Sequence, residues 1–288
     1  NAEKNNYENY YDLVTSYVEE MWKYARRIDN TATPLTGRVR DYDEEPSIFV
    51  YRDTASTRAG IQAVSKKLEG HTVAIIGVGG TGSYILDFIS KMPVKTIHLF
   101  DGDHFLQHNA FRSPGAATEG DVFARPPLFK VDYLYAQYGR MHKGIVPHRE
   151  FIEGLPDLFR EVDFTFLCID KAEPKRKIVE DLLRLGKAFI DVGMGVSMTD
   201  RRSLSGLLRT TLSTEECRVP RHPIGFGDLD NDYALNIQIA DLNALNAALA
   251  VIRWKQYLTF YEGDEKNFSS VYTLNFNRID NAGCKDAS

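Results

Sequence analysis

Residues 71–83 read HTVAIIGVGGTGS, and the fold follows from how this stretch is punctuated. Five β-branched or small apolar-run residues are followed at once by glycine, as expected of a short central strand buried on both faces. Gly77, Gly79 and Gly82 have the G-x-G-x-x-G spacing, with Gly80 in the same turn. Between a strand and a helix, such a turn offers backbone N–H groups to a phosphate with no Cβ in the way. The same spacing also occurs in tight strand-to-helix turns that bind nothing, so its surroundings have to be read with it. The next strand, VKTIHLFD, ends on Asp101, about 20 residues on, where a carboxylate accepts hydrogen bonds from ribose hydroxyls. A ribose-bearing nucleotide is expected, and these residues leave ATP and NAD equally open.

Working outward, helices are expected over 57–69, 83–91 and 174–185, and further strands in GIVPHRE, VDFTFLCID and AFIDVGMG. Strands alternating with helices over this length give an α/β fold, a doubly wound and mostly parallel Rossmann-like sheet. After residue 204 the pattern changes to a strand at 204–211, a Gly/Pro-rich loop at 214–232, one long apolar helix over 233–261 and a closing strand, SVYTLNFNRI. These C-terminal strands are expected to be antiparallel. Ahead of the main domain, Tyr10, Leu13, Val14, Tyr17, Val18, Met21 and Trp22 recur at helical spacing, so a helix is expected over 7–27. Residues 29–46 read as a linker with an acidic DYDEE run, and the division is placed at 1–55 and 56–288.

A chain of 288 residues, 43% hydrophobic, can bury a large core. Its net charge of -5 argues against a nucleic-acid partner, because backbone binding needs a basic stripe and none is visible in the sequence. Cys168, Cys217 and Cys284 are widely separated and form no CxxC pair, so neither a disulfide framework nor a structural zinc site is expected and a reducing cytoplasm is the simplest location. No apolar run nears the roughly 20 residues of a membrane span, and no signal-peptide core is visible. A start at Asn1 rather than Met suggests a piece of something longer.

The segment DGDHFLQHNAFR, residues 101–112, separates ATP from NAD. With Asp101, Asp103, Asn109 and Arg112 it resembles the ThiF/MoeB/ubiquitin-activating superfamily, whose signature is D-x-D followed by N-x-x-R, and dehydrogenases have no reason to carry it. The resemblance spans about residues 58–261. It implies that Asp101 holds the ribose, that Asn109 and Arg112 bind phosphates assisted by Lys130, and that Asp170 positions Mg2+ and the reacting acyl phosphate, with Arg176 following it. Asp103 is a second candidate oxygen ligand for the metal. Arg58 matches an arginine that reaches the γ-phosphate of the opposite subunit, with Arg52 as a competitor, and this implies a homodimer; the apolar helix over 233–261 suits either an interface or internal packing. Cys217, in STEECRVPRHP, has Arg218, Arg221 and His222 to favour its thiolate and Glu215 and Glu216 to oppose it. It is a candidate thioester acceptor or an unreactive loop cysteine.

The chain departs from the family pattern in having Ser113 where Gln is usual, in the FARPPLF insertion before Lys130, and in lacking CxxC pairs. The insertion leaves Lys143 and Arg125 as substitutes for Lys130. The expected activity is ATP- and Mg2+-dependent adenylation of the C-terminal carboxylate of a ubiquitin-like or sulfur-carrier-like protein ending in glycine. The competing expectations are a small-molecule-activating relative, an inactive nucleotide-binding interaction module and, more distantly, a dehydrogenase.

Overall fold

The computed structural model describes residues 7–34, 47–218, 220, 222, 224–225 and 237–285. Two compact units divide at Pro46–Ser47. The first contains α1 (Tyr10–Ile28), capped by the Asn9 side chain accepting from the Asp12 N–H. In the second, α2 (Thr54–Ala59), α3 (Gln62–Ser65) and a 3-10 turn lead into β1 (Thr72–Ile76), α4 (Gly80–Ile89) and β2 (Thr96–Phe100). Three short helices follow: α5 (Gln107–Ala110), α6 (Glu119–Val122) and α7 (Lys130–Tyr138). Then come β3 (Ile145–His148), β4 (Phe164–Leu167), α8 (Ala172–Arg184), β5 (Ala188–Met198), β6 (Leu204–Ser213), α9 (Ala240–Tyr257), β7 (Ser269–Thr273) and β8 (Arg278–Ala282).

One sheet carries all eight strands in the order β3-β2-β1-β4-β5-β6-β7-β8. The first five are parallel and the last three antiparallel. Strand alternation sends Val73 and Ile75 into a core with Ile85, Leu86 and Trp254 on one face. Ala74 and Ile76 enter the core on the other face, with Ile178 and Leu182 of α8. Both faces are therefore covered, which is why the strands read as continuous apolar runs. From β1 the chain steps outward to β2 and β3, then returns to place β4 on the other side of β1. The carboxyl ends of β1 and β4 thus flank a topological switch point, where doubly wound folds bind ligands.

Four expectations are corrected. The helix over 57–69 is broken at Gly60, whose φ of +69° caps α2. The closing strand is two strands, β7 and β8, folded back at Asn277 with φ +47°. The long helix spans Ala240–Tyr257 and buries Leu242, Ala247, Ala250, Val251 and Trp254, so among the described residues its apolar run packs internally; residues 233–236 lie outside them. Finally, Cys217 and Cys284 form a disulfide 67 residues apart in sequence. Sequence separation concealed it: β6, β7 and β8 pair side by side, and the end of β8 is thereby brought to the loop that follows β6. No helix among the described residues is long and apolar enough to cross a membrane.

Candidate functional site

The glycine turn is shaped by contacts that only glycine permits. Gly77 has φ +87°, and a Cβ there would lie 2.8 Å from the Cys168 carbonyl oxygen of β4's exit loop. A Cβ on Gly82 would collide with the Gly77 carbonyl, and one on Gly80 with the Asn243 amide of α9. Gly79, by contrast, faces open space. It is the N-cap of α4, and no side chain caps that end. The first-turn N–H groups are therefore available to an anion.

Asp101 fixes this turn to the end of β2. Its Oδ2 accepts from the Val78 N–H at 2.9 Å and its Oδ1 from the Asp103 N–H at 2.9 Å. A carboxylate has about four lone-pair sites, so acceptor capacity remains on both oxygens. The buried Lys130 Nζ lies 2.6 Å from Asp103 Oδ2 and 3.7 Å from Asp101 Oδ1. Its backbone N–H also donates to the Asp103 carbonyl at 2.9 Å. The FARPPLF insertion thus returns Lys130 to the two acids at the start of α7. Lys143 is held elsewhere, donating to the Ser47 carbonyl.

Asn109 is buried in α5, and its Oδ1 accepts from the Leu106 N–H at 2.9 Å. Its Nδ2 is buried without a hydrogen-bond partner, and so is the Nε of Arg112 one turn later. Leaving such donors unsatisfied costs about 1–3 kcal/mol each, a cost that acceptor oxygens of a bound phosphate would remove. A Cβ-free turn, an uncapped helix start, a carboxylate with acceptor capacity left and two orphaned donors together fit a nucleotide.

Asp170 is exposed on the loop between β4 and α8, and Arg176 is exposed on α8. Among the described residues no group of three or more His, Cys, Asp or Glu side chains converges on a metal position; Mg2+ commonly needs only one or two carboxylates besides phosphate oxygens. Arg58 is exposed in the last turn of α2, and Arg52 lies just ahead of that helix.

Sequence reasoning missed two parts of this region. Asn243 of α9 accepts from the Thr81 hydroxyl at 3.0 Å and has its own Nδ2 buried without a partner. Lys175 of α8 and Arg209 of β6 converge on Asp191 of β5, the Arg209 contact at 2.8 Å. Burial pushes the Asp191 carboxyl upward, opposed by the two cations. Asp191 stands beside Leu167 in the sheet register. An aspartate inside the apolar strand AFIDVG was the available signal. Cys168 is a free thiol whose pKa burial drives upward, as suits a core cysteine.

A family model described as the ThiF family matches residues 52–204, more than half of the chain. The chain belongs to the ThiF family. A second model, described as a domain of unknown function (DUF6791), matches residues 1–54. Among curated proteins none matches significantly. Of solved structures, Escherichia coli MccB with MccA-N7isoASN superposes at a TM-score of 0.62, with 16% identity over 83% of this chain and 74% of that one. MccB with ATP gives 0.58, with 17% identity over 78% and 67%. PaaA gives 0.59, with 16% identity over 93% and 82%. At these identities the likeness is one of fold, and it covers the mixed parallel and antiparallel sheet of this ThiF-family chain.

Within that family frame, Cys217 needs correction. It is 1% exposed and bonded to Cys284, so the loop thiol that Arg218 and His222 were expected to activate is absent in this form. The basic neighbours act otherwise: Arg218 donates to the Lys187 carbonyl, and the His222 Nδ1 lies 3.1 Å from the Ser269 hydroxyl. Arg221 lies outside the described residues.

Proposed function

We propose that this ThiF-family chain is an ATP-dependent adenylyltransferase that activates the C-terminal carboxylate of a peptide or small protein, of the ubiquitin-like or sulfur-carrier-like kind ending in glycine. The observation that carries the proposal is the convergence of Lys130 on Asp101 and Asp103 beside the orphaned donors of Asn109 and Arg112. Asp101 at the carboxyl end of β2 touches both Lys130 and the turn that opens α4, and positive charge beside a helix N-terminus suits anion handling. The bound nucleotide supplies an electrophilic α-phosphorus and a pyrophosphate leaving group. Arg112 and Lys130 would counter the charge spread over the phosphate oxygens. Asp101 holds the turn and offers its remaining lone pairs to ribose; Asp103 keeps Lys130 oriented rather than serving a metal. Asp170 is assigned to Mg2+. Arg58 is assigned to the nucleotide of the opposite copy in a homodimer, and the cytoplasm is the proposed location, a compartment whose reductants would hold the Cys217–Cys284 bridge open.

A protein or peptide partner is favoured by the fold shared with MccB, a protein solved with MccA and with ATP. The proposal ends at the acyl adenylate, because a thioester at Cys217 would first require reduction of its bridge. Thermal-shift comparison of ATP with Mg2+, AMP and NAD tests the nucleotide: saturation at 100 times the dissociation constant adds about 2.7 kcal/mol. Stabilisation by NAD alone overturns the proposal. ATP–pyrophosphate exchange then tests the chemistry, with Asp170→Ala expected to abolish exchange while the fold survives. Nucleotide binding without exchange for any carboxylate partner would instead identify an interaction module.

A further inference from the structure

The helix α1 has no buried residue, and its exposed large apolar side chains, Tyr11 apart, form a single seam. Tyr10, Val14, Tyr17, Met21, Tyr24 and Ile28 are each between 58% and 91% exposed. They recur at intervals of four and three, which is the heptad seam of a left-handed two-helix pair. The seam is regular in chemistry as well as spacing. Val14, Met21 and Ile28 occupy one core position, and Tyr10, Tyr17 and Tyr24 occupy the other.

The flank of α1 is already used by its own chain. The Trp22 indole N–H donates to the Ala32 carbonyl at 2.7 Å, and Val18, Met21, Trp22 and Ala25 adjoin Ala32 and Pro34 around a small cavity, with Met21 still 65% exposed. The charged residues lie off the seam: Glu20 pairs with Lys23 at 2.9 Å, and Arg26 stacks over Trp22.

We propose that this seam is a docking surface for the same helix of a second copy, in parallel and in register. Such a pair sets identical residues against each other in every layer, aliphatic layers alternating with tyrosine layers whose hydroxyls reach water at the edge. In parallel register Leu13 faces Val18 of the other copy, and Glu20 faces Ala25, so no like charges meet. Antiparallel pairing would set Glu20 against Glu20. Six tyrosines contribute about 150 Å² each when covered, so the pair buries roughly 1,000 Å², the lower bound of a specific interface.

Cysteine cross-linking of the full chain tests this independently of the adenylation proposal, because it reads covalent mass rather than activity. Under mild oxidation Met21→Cys should give a covalent dimer, while Glu19→Cys, on the far side of the helix, should not. Added to the Met21→Cys variant, Tyr17→Glu should lower the yield of covalent dimer about tenfold or more, a readout that the homodimer proposed for the nucleotide site does not move; Tyr17 is exposed, so the variant keeps its fold. No covalent dimer at any concentration, equal cross-linking at both positions, or cross-linking through Met21→Cys that Tyr17→Glu leaves unchanged overturns the proposal.

Discussion

The Lys130 ammonium lies 2.6 Å from the Asp103 carboxylate although 27 residues separate them in sequence. It is the buried counter-charge to both Asp103 and Asp101, so removing it leaves two carboxylates side by side at the end of β2. Breaking a fully buried pair costs about 3–5 kcal/mol; with Asp103 half exposed, Lys130→Ala should cost about 1–3 kcal/mol by that scale. Pyrophosphate exchange should fall about 100-fold or more, the usual loss on removing one electrostatic stabiliser. Exchange unchanged in a stably folded Lys130→Ala protein would remove Lys130 from the mechanism.

Gly82 tests the turn rather than the charges. Its missing Cβ leaves room for the Gly77 carbonyl, and backbone cannot swing aside as a side chain can. Gly82→Ala should destabilise by about 1–3 kcal/mol, as overpacking does, and should weaken nucleotide binding. Gly79→Ala, where the space is open, should affect thermal stability far less, so comparable melting losses in the two variants would contradict the assigned geometry.

The Lys175–Asp191–Arg209 cluster holds α8 to β5 and β6. Lys175→Met leaves Asp191 buried with one cation, and an unfolding loss of about 3 kcal/mol is expected, at the low end for a broken buried pair because Arg209 remains. Adding Asp191→Leu should recover much of it. Denaturant titration of the single and double variants decides; additive losses would mean that the cluster is not coupled.

Acid sensitivity should arise in part from His98 and His148, whose ring nitrogens lie 3.0 Å apart across β2 and β3. Burial lowers the pKa of each below its ordinary value. The folded protein therefore prefers both rings neutral, whereas the unfolded chain protonates near pH 6.5. Their contribution is complete above that value and is lost as pH falls through it toward the lowered folded values. Stability measured at pH 7.5 and pH 5.5 should show the loss, and His148→Gln should reduce the slope between them; an unchanged slope would assign the acid sensitivity elsewhere.

How much of this was legible in the sequence depended on the range of the signal. The run Thr72–Ile76, the glycine turn into a helix and the position of Asp101 at a strand end are local, and the structure has them where the sequence put them; the parallel sheet followed from alternation. The four-residue helices α5 and α6 have too few turns to generate periodicity, and α7 lies behind two prolines, so the path carrying Lys130 back to Asp103 was not readable. The turn at Asn277 was hidden because asparagine enters the left-handed region with little penalty, leaving the alternation of Tyr272, Leu274 and Phe276 with polar residues apparently uninterrupted. Asn243, Arg209 and Cys284 reach their partners only through helix packing and antiparallel pairing, long-range relationships that no sequence window contains.

The Cys217–Cys284 bridge closes a loop that encloses α9, β7 and β8. The polypeptide is thus a line over its first three-quarters and a ring thereafter. In a ring one broken peptide bond opens the circle without separating its parts. A single scission anywhere in the interior of that loop therefore yields two polypeptides but still one molecule, with α9, and the Asn243 it brings to the glycine turn, still tethered to the sheet.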